Sequence, residues 1–188
     1  IEKPEDVKKI KIKYPLVFKP AAEGSAIGVS IVTDKKDAKK GFMKASGYGK
    51  KVLVERYIKG TEISVPVLVD RALPIIEIIP QRQFYDYTAK YEKGMSEHKI
   101  PASINKQAYK KAQQYAVKAH KILECRDYSR IDMMVQGENV FVLEVNTLPG
   151  MTSLSLFPES ARHYGISFYE LLLIFIKETL KRKKNAGL

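Results

Sequence analysis

Cysteine is almost missing from this chain. Cys125 stands alone among 188 residues, so no internal disulfide can form and a reducing cytoplasm is the natural setting. Histidine is nearly as scarce, with three in all. No local motif makes one of them a partner for Cys125, which therefore reads as a buried inert thiol and not as a nucleophile. Long hydrophobic runs are absent too: the longest, Leu171 to Ile176, is far short of the roughly 20 apolar residues a spanning helix needs. No signal peptide, internal repeat or low-complexity segment stands out, and a membrane partner is not expected.

Acidic residues are also in deficit, 21 against 33 Lys and Arg, for a net charge of +12. That balance suits a polyanion or a nucleotide and does not separate them. The one dense basic cluster, Lys181 to Lys184, has no interleaved aromatics to stack bases, so nucleic acid is not expected as a partner. It has a simpler explanation as the charged end of a helix, where cations oppose the helix dipole. A 45% apolar share and 188 residues support one substantial core or two small lobes. The chain begins at Ile1 inside what reads as ongoing structure, as an excised part of a longer protein would.

Residues 14 to 19, 27 to 33 and 51 to 55 read as strands. Asp34 is positioned to cap a short lysine-rich helix with Asp37 three residues on. Glu62 to Val69 and Leu73 to Ile79 form two further strands turning at Asp70 and Arg71, with Pro66 suggesting a bulge or an edge. Gln81 to Ile100 is a polar, tyrosine-rich connection of functional length. Residues 105 to 124 read as a helix whose stripe is Ala108, Ala112, Tyr115, Ala116, Ala119, Ile122 and Leu123. The final helix starts with Ser167 as N-cap and Glu170 as its reciprocal partner.

Between these helices lie two acidic strands, Tyr128 to Val135 and Val140 to Asn146. Folding them about Glu138 sets Asp132 opposite Glu144 and Arg130 opposite Asn146 on one face. The alternating residues, Ile131, Met133, Val135, Phe141, Leu143 and Val145, are then directed into a core. Two carboxylates and an amide oxygen are the hard ligands magnesium prefers. Acids also decorate the wet face of ordinary strands, and these residues alone leave both readings open. The compact turn that follows, Thr-Leu-Pro-Gly-Met-Thr at 147 to 152, favours the metal.

The loop Glu-Gly-Ser-Ala-Ile-Gly at 23 to 28 follows a strand, and its small residues would let backbone N–H groups approach a phosphate. It lacks the Gly-Lys-Ser/Thr ending of a Walker loop, and a strand follows where a dinucleotide fingerprint needs a helix. An ordinary hairpin turn remains the alternative. Lys19, on the strand entering the loop, could pin a phosphate beneath it.

Six ordered segments carry a resemblance over nearly the whole chain. They are residues 14 to 30 (YPLVFKPAAEGSAIGVS), 52 to 62 (VLVERYIKGTE), 84 to 91 (FYDYTAKY), 129 to 132 (SRID), 143 to 152 (LEVNTLPGMT) and 155 to 158 (SLFP). Together they resemble the D-alanine–D-alanine ligases of the ATP-grasp fold, the tyrosine-rich segment separating that family from most other ATP-grasp ligases. The resemblance implies an α+β architecture, an antiparallel or mixed sheet with flanking helices. Residues 1–56 would be a remnant of the central subdomain and residues 57–188 the C-terminal catalytic domain. It implies ATP-dependent joining of two D-alanines through an acyl phosphate, for peptidoglycan precursors in the cytoplasm.

By motif, Lys19 and Lys90 would contact phosphates under the loop Gly24 to Gly28, Glu55 the adenine amino edge and Glu62 the ribose. Asp132, Glu144 and Asn146 would hold two magnesium ions, or manganese in their place, with Glu144 bridging. Arg130 would steady the transferred phosphate and the oxyanion, while Ser25 and Tyr91, with Tyr87 nearby, would constrain the first D-alanine. Gly150, Ser155 and Leu156 would receive the second. A homodimer is implied for the complete protein.

Two departures stand inside the motifs: Ala26 where a second serine is common, and Thr88 where an acid is common. The family's N-terminal domain is not in this sequence, so the isolated 188 residues are expected to make no dipeptide. The alternatives are a related ligase using D-lactate or D-serine and, in another class, a non-catalytic nucleotide-binding module.

Overall fold

The computed structural model describes residues 1–24, 26–80 and 96–185. It forms two compact units, one built on Ile1–Ile58 and the other on Lys59–Ile79 with His98–Leu188.

The first unit is a three-stranded antiparallel sheet, β1 (Leu16–Pro20) between β2 (Ser30–Val32) and β3 (Val52–Arg56), covered by helix α1 (Ala38–Ser46). Alternation explains the covered face: Leu16 and Phe18 of β1 are fully buried with Val32, Phe42 and Val52, while Val17 and Lys19 face the other way. Asp34 does cap, its side chain accepting from Lys36 N at 3.0 Å, but what it opens is a 3-10 turn over Lys35–Asp37. The α-helix starts only after it.

The second unit is a six-stranded sheet in the order β7 (Ser96–Lys99), β6 (Ile76–Pro80), β4 (Thr61–Leu68), β8 (Tyr128–Gln136), β9 (Asn139–Asn146), with β5 (Arg71–Ala72) also beside β4. The turn between β4 and β5 falls at Val69 and Asp70, one residue earlier than the sequence indicates. β7 forms within the stretch read from sequence as connection. Helix α2 (Lys106–Ile122) lies on one face of the sheet, where Ala108, Ala112 and Ala116 bury completely against Ile63, Val65, Ile131 and Met133. Small residues at every fourth position let the helix backbone approach the sheet closely.

The buried stripe of α2 continues through His120, not through the larger residues expected to extend it: Tyr115 is 39% exposed, Ile122 67% and Leu123 58%. Pro66 is likewise not on an edge strand. It sits inside β4, opposite Arg130 on β8, where β4's other flank passes from β6 pairing at Ser64 to β5 pairing at Val67. The missing N–H therefore falls at a break in the ladder.

The other face of the sheet is half covered. Helices α3 (Leu156–His163) and α4 (Phe168–Asn185) bury Phe157, Ala161 and Leu171 against Leu68, with Tyr128 packed edge-on to Phe157. Ser167 and Glu170 form the expected reciprocal cap on α4, Ser167 N donating to Glu170 Oε2 at 2.8 Å and Glu170 N to Ser167 Oγ at 3.2 Å. The half of this face nearer the hairpin carries Glu62, Ser64, Arg130, Asp132, Glu144 and Asn146.

The hairpin turns on two residues, Gly137 and Glu138, with Gly137 at φ +61°. That pairs Val135 with Val140 and Met134 with Phe141, one residue off the register expected near the turn. A β-bulge next to Asp132 then restores the expected pairs, Asp132 with Glu144 and Arg130 with Asn146. The inward residues of β9 are consequently Val140 and Val145, whereas Phe141 shares the outer face and Leu143 is 36% exposed. The expectation that Phe141 and Leu143 enter the core is overturned by that single inserted residue. Cys125 is half-buried and free. Among the described residues no helix is long and apolar enough to cross a membrane.

Candidate functional site

The centre of the polar face is an ion pair locked from two sides. Arg130 donates from Nε to Asp132 Oδ1 at 3.0 Å and from Nη2 to Oδ2 at 2.7 Å. Two residues apart on one strand, the side chains share a face, and the planar guanidinium matches the carboxylate fork. From the neighbouring strand Ser64 Oγ donates to Oδ1 at 2.7 Å. Asp132 is 6% exposed and Ser64 fully buried, so every bond here acts out of water's competition.

Across the pairing lies Glu144, exposed, and next to it Asn146, whose side-chain oxygen accepts from Leu148 N at 3.2 Å. That bond folds the chain into the turn after β9. Glu62 is half-buried on β4, one position beyond Ser64 on the same face.

The oxygens suit a hard cation. Three hydrogen bonds onto Asp132 leave a lone pair on Oδ2, Asn146 keeps one of two, and the carboxylate of Glu144 stands in solvent. Among the described residues no three His, Cys, Asp or Glu side chains gather as a closed metal cage. A two-carboxylate, one-amide set of this kind instead fits magnesium, which keeps waters or phosphate oxygens at its other positions.

A second group stands at the end of the same face. Gly150, Ser155 and Leu156 come together at the start of α3, where a Cβ on Gly150 would lie 2.8 Å from Ser155 Oγ. Ser155 is the N-cap, yet its hydroxyl turns back to Thr152, accepting from Thr152 N at 2.9 Å, and makes no side-chain cap bond. The opening of the helix is thus framed by a hydroxyl and a glycine, an arrangement suited to a small anion.

In the first unit Lys19 and Glu55 meet, Nζ to Oε2 at 2.6 Å, because Val17 pairs with Glu55 and Lys19 is two residues along on the same face. The loop from Gly24 to Val29 is built from two tight turns, Ile27 N to Gly24 O at 3.2 Å and Val29 N to Ala26 O at 3.3 Å. Gly28 has φ +70°, and a Cβ there would lie 2.7 Å from the Tyr48 ring, so only glycine fits. Ser25, Tyr87, Lys90 and Tyr91 lie outside the described residues.

Three partners were not evident in the sequence. Ser64 reaches Asp132 through the long-range pairing of β4 with β8, although the alternation Glu62, Ser64 against Ile63, Val65 already assigned it to the polar face. His120, 3% exposed, sits 2.7 Å by Nδ1 from Ser129 Oγ, one residue before Arg130. Burial pushes this imidazole below its ordinary value of 6.5, Asp70 and Asp127 opposing the shift and Lys121 adding to it. His98 on β7 lies 2.7 Å by Nδ1 from Glu159 Oε2 on α3.

A family model described as D-ala D-ala ligase C-terminus matches residues 2–177. A D-alanine–D-alanine ligase of Geotalea uraniireducens is 46% identical over 87% of this chain and 53% of its own length. That of Halalkalibacterium halodurans is 42% identical over 90% of this chain and 57% of its own. The chain thus spans about half the length of the curated relatives it matches. Among solved structures, D-alanine–D-alanine ligase from Bacillus anthracis superposes with a TM-score of 0.82 at 35% identity, over 98% of this chain and 60% of that one. The same enzyme complexed with ATP gives 0.78 at 34%, over 98% and 59%. VanG D-Ala:D-Ser ligase from Enterococcus faecalis gives 0.78 at 32%, over 92% and 51%. The chain has the ATP-grasp fold of these ligases, and it belongs to the D-ala D-ala ligase C-terminus family.

Proposed function

We propose that the complete protein is a cytoplasmic ADP-forming D-alanine–D-alanine ligase supplying a peptidoglycan precursor, with residues 1–56 as part of its central ATP-binding subdomain and residues 57–188 as its C-terminal catalytic domain. The observation that carries the proposal is the Ser64–Asp132–Arg130 grip facing Glu144 and Asn146, in a chain of this family. A carboxylate is a poor electrophile. ATP cures this: a carboxylate oxygen of the first D-alanine attacks the γ-phosphorus, the bond to ADP breaks, and an acyl phosphate forms. The amine of the second D-alanine then attacks the carbonyl carbon, the C–N bond forms, and phosphate and a proton leave.

The chain's residues divide this work by charge. Arg130, held in orientation by Asp132, steadies the transferred phosphate and the oxyanion with its fixed positive charge. Lys19 and Lys90 bind phosphates beneath the loop Gly24–Gly28. Lys19 rests on Glu55 at 2.6 Å, so nucleotide binding exchanges one anionic partner for another. Glu55 then accepts from the adenine amine and Glu62 from the ribose hydroxyls.

Asp132, Glu144 and Asn146 would hold two magnesium ions, or manganese. Bound there, the metal offsets negative charge on the phosphates. By the motif match, Ser25, Tyr87 and Tyr91 would constrain the first D-alanine, from whose acyl phosphate water must be kept. The second places its carboxylate at Gly150, Ser155 and Leu156. The remaining half of the protein supplies the rest of the site and, in a homodimer, the subunit contact.

D-serine is the competing acceptor, favoured by the likeness to the VanG ligase; Tyr91, in the family's dipeptide-forming tyrosine pattern, favours D-alanine. Product analysis of the complete protein with D-alanine, D-serine and D-lactate decides between them. ADP release that depends on D-alanine and yields the dipeptide supports the proposal. Tight magnesium-ATP binding without turnover of any acceptor would favour a non-catalytic nucleotide module instead.

A further inference from the structure

Helix α3 opens with Ser155 and carries an acid one turn along. The N–H of Glu159 donates to Ser155 O at 3.2 Å, and the i, i+4 spacing puts both side chains on the same side of the helix. The opposite side, with Phe157 and Ala161, is buried in the core. A carboxylate arriving at Ser155 and Gly150 is attracted by the opening of the helix but repelled by a second carboxylate one turn away. Glu159 is an awkward residue for that position.

His98 answers it. Its Nδ1 lies 2.7 Å from Glu159 Oε2, with the imidazole 20% and the carboxylate 31% exposed. An ionised carboxylate only accepts, so Nδ1–H is the donor. The bond turns the acid toward β7 and occupies one of its oxygens. The connection is specific to the tertiary structure, joining residues 61 apart in sequence.

We propose that His98 is a positioning residue for the acceptor subsite: by holding Glu159 aside it keeps the opening of α3 receptive to the carboxylate of the second amino acid. This rests on the ligase reading above, and it assigns His98 and Glu159 a part in acceptor affinity and not in phosphoryl transfer.

The test is steady-state kinetics of the complete protein with magnesium-ATP and D-alanine, the two amino-acid KM values being separated. His98→Ala is expected to raise the acceptor KM about five- to tenfold, leaving kcat and the ATP KM within about twofold. Adding Glu159→Gln to that variant is expected to return the acceptor KM to within about twofold of the unsubstituted protein, because the repelling charge is gone. A purely structural bridge would give no such rescue. An unchanged acceptor KM in His98→Ala, or a double variant as weak as the single one, overturns the proposal. Thermal melts of both variants exclude misfolding as the cause. Dipeptide formation by the unsubstituted protein separates the two readings: its absence overturns both, whereas its presence without rescue overturns only this one.

Discussion

Asp132 lies buried at the centre of the polar face. A carboxylate this buried is tolerable only because Arg130 and Ser64 meet it with three hydrogen bonds. Ser64→Ala leaves Oδ1 with one donor fewer and is expected to lower stability by about 1–3 kcal/mol, read as a shift in the urea midpoint. Ser64→Thr, which keeps the hydroxyl, is expected to recover most of that loss.

His120 gives the same neighbourhood a pH dependence. Its folded-state pKa lies below the unfolded value of 6.5, so between the two the unfolded chain binds more protons and stability rises with pH. The contribution is complete above that value and is lost as the solution is acidified through the folded pKa. Urea unfolding at about pH 5.5 and about pH 7.5 should show the slope, and His120→Asn should flatten it. The acids and Arg130 were legible in the sequence because a two-residue period is enough to assign a face. Ser64 and His98 were not, since their partners lie 68 and 61 residues away in sequence and are brought close only by the tertiary structure; His120 was not, since it meets the nearby Ser129 only once α2 packs on the sheet.

At the scale of elements, pairing explains both the success and the failure of the sequence reading. Asp132 opposite Glu144 is legible from alternation, yet it is reached by a tighter turn and a compensating bulge that alternation does not reveal. Helix α2 shows the converse. Its start is clear, Asn105 accepting from Gln107 N at 2.7 Å and Ala108 N at 3.4 Å, while its buried stripe is narrower than hydrophobicity indicates because the sheet accepts only alanines at close range. Asn105→Ala is expected to cost about 1 kcal/mol in denaturant unfolding. Gly60, before β4, has a different constraint: a Cβ there would sit 2.1 Å from Val135 O. Gly60→Ala must displace β8 backbone and is expected to cost about 1–3 kcal/mol.

At the scale of the molecule, the two units carry different chemistry. One offers a glycine-bearing loop beside Lys19 and Glu55, the other an acidic sheet face and a receptive helix opening. Their family is established over residues 2–177, and the chain spans 53% of the Geotalea relative. In the proposed function Asp132 and Glu144 hold the metal at which ATP reacts with D-alanine. The most direct measurement is D-alanyl-D-alanine formation by the complete protein, unsubstituted and as Glu144→Gln, with magnesium-ATP. Dipeptide is expected from the first, and a fall of about 100-fold or more in the second at unchanged thermal stability. Undiminished dipeptide formation by Glu144→Gln would contradict that role.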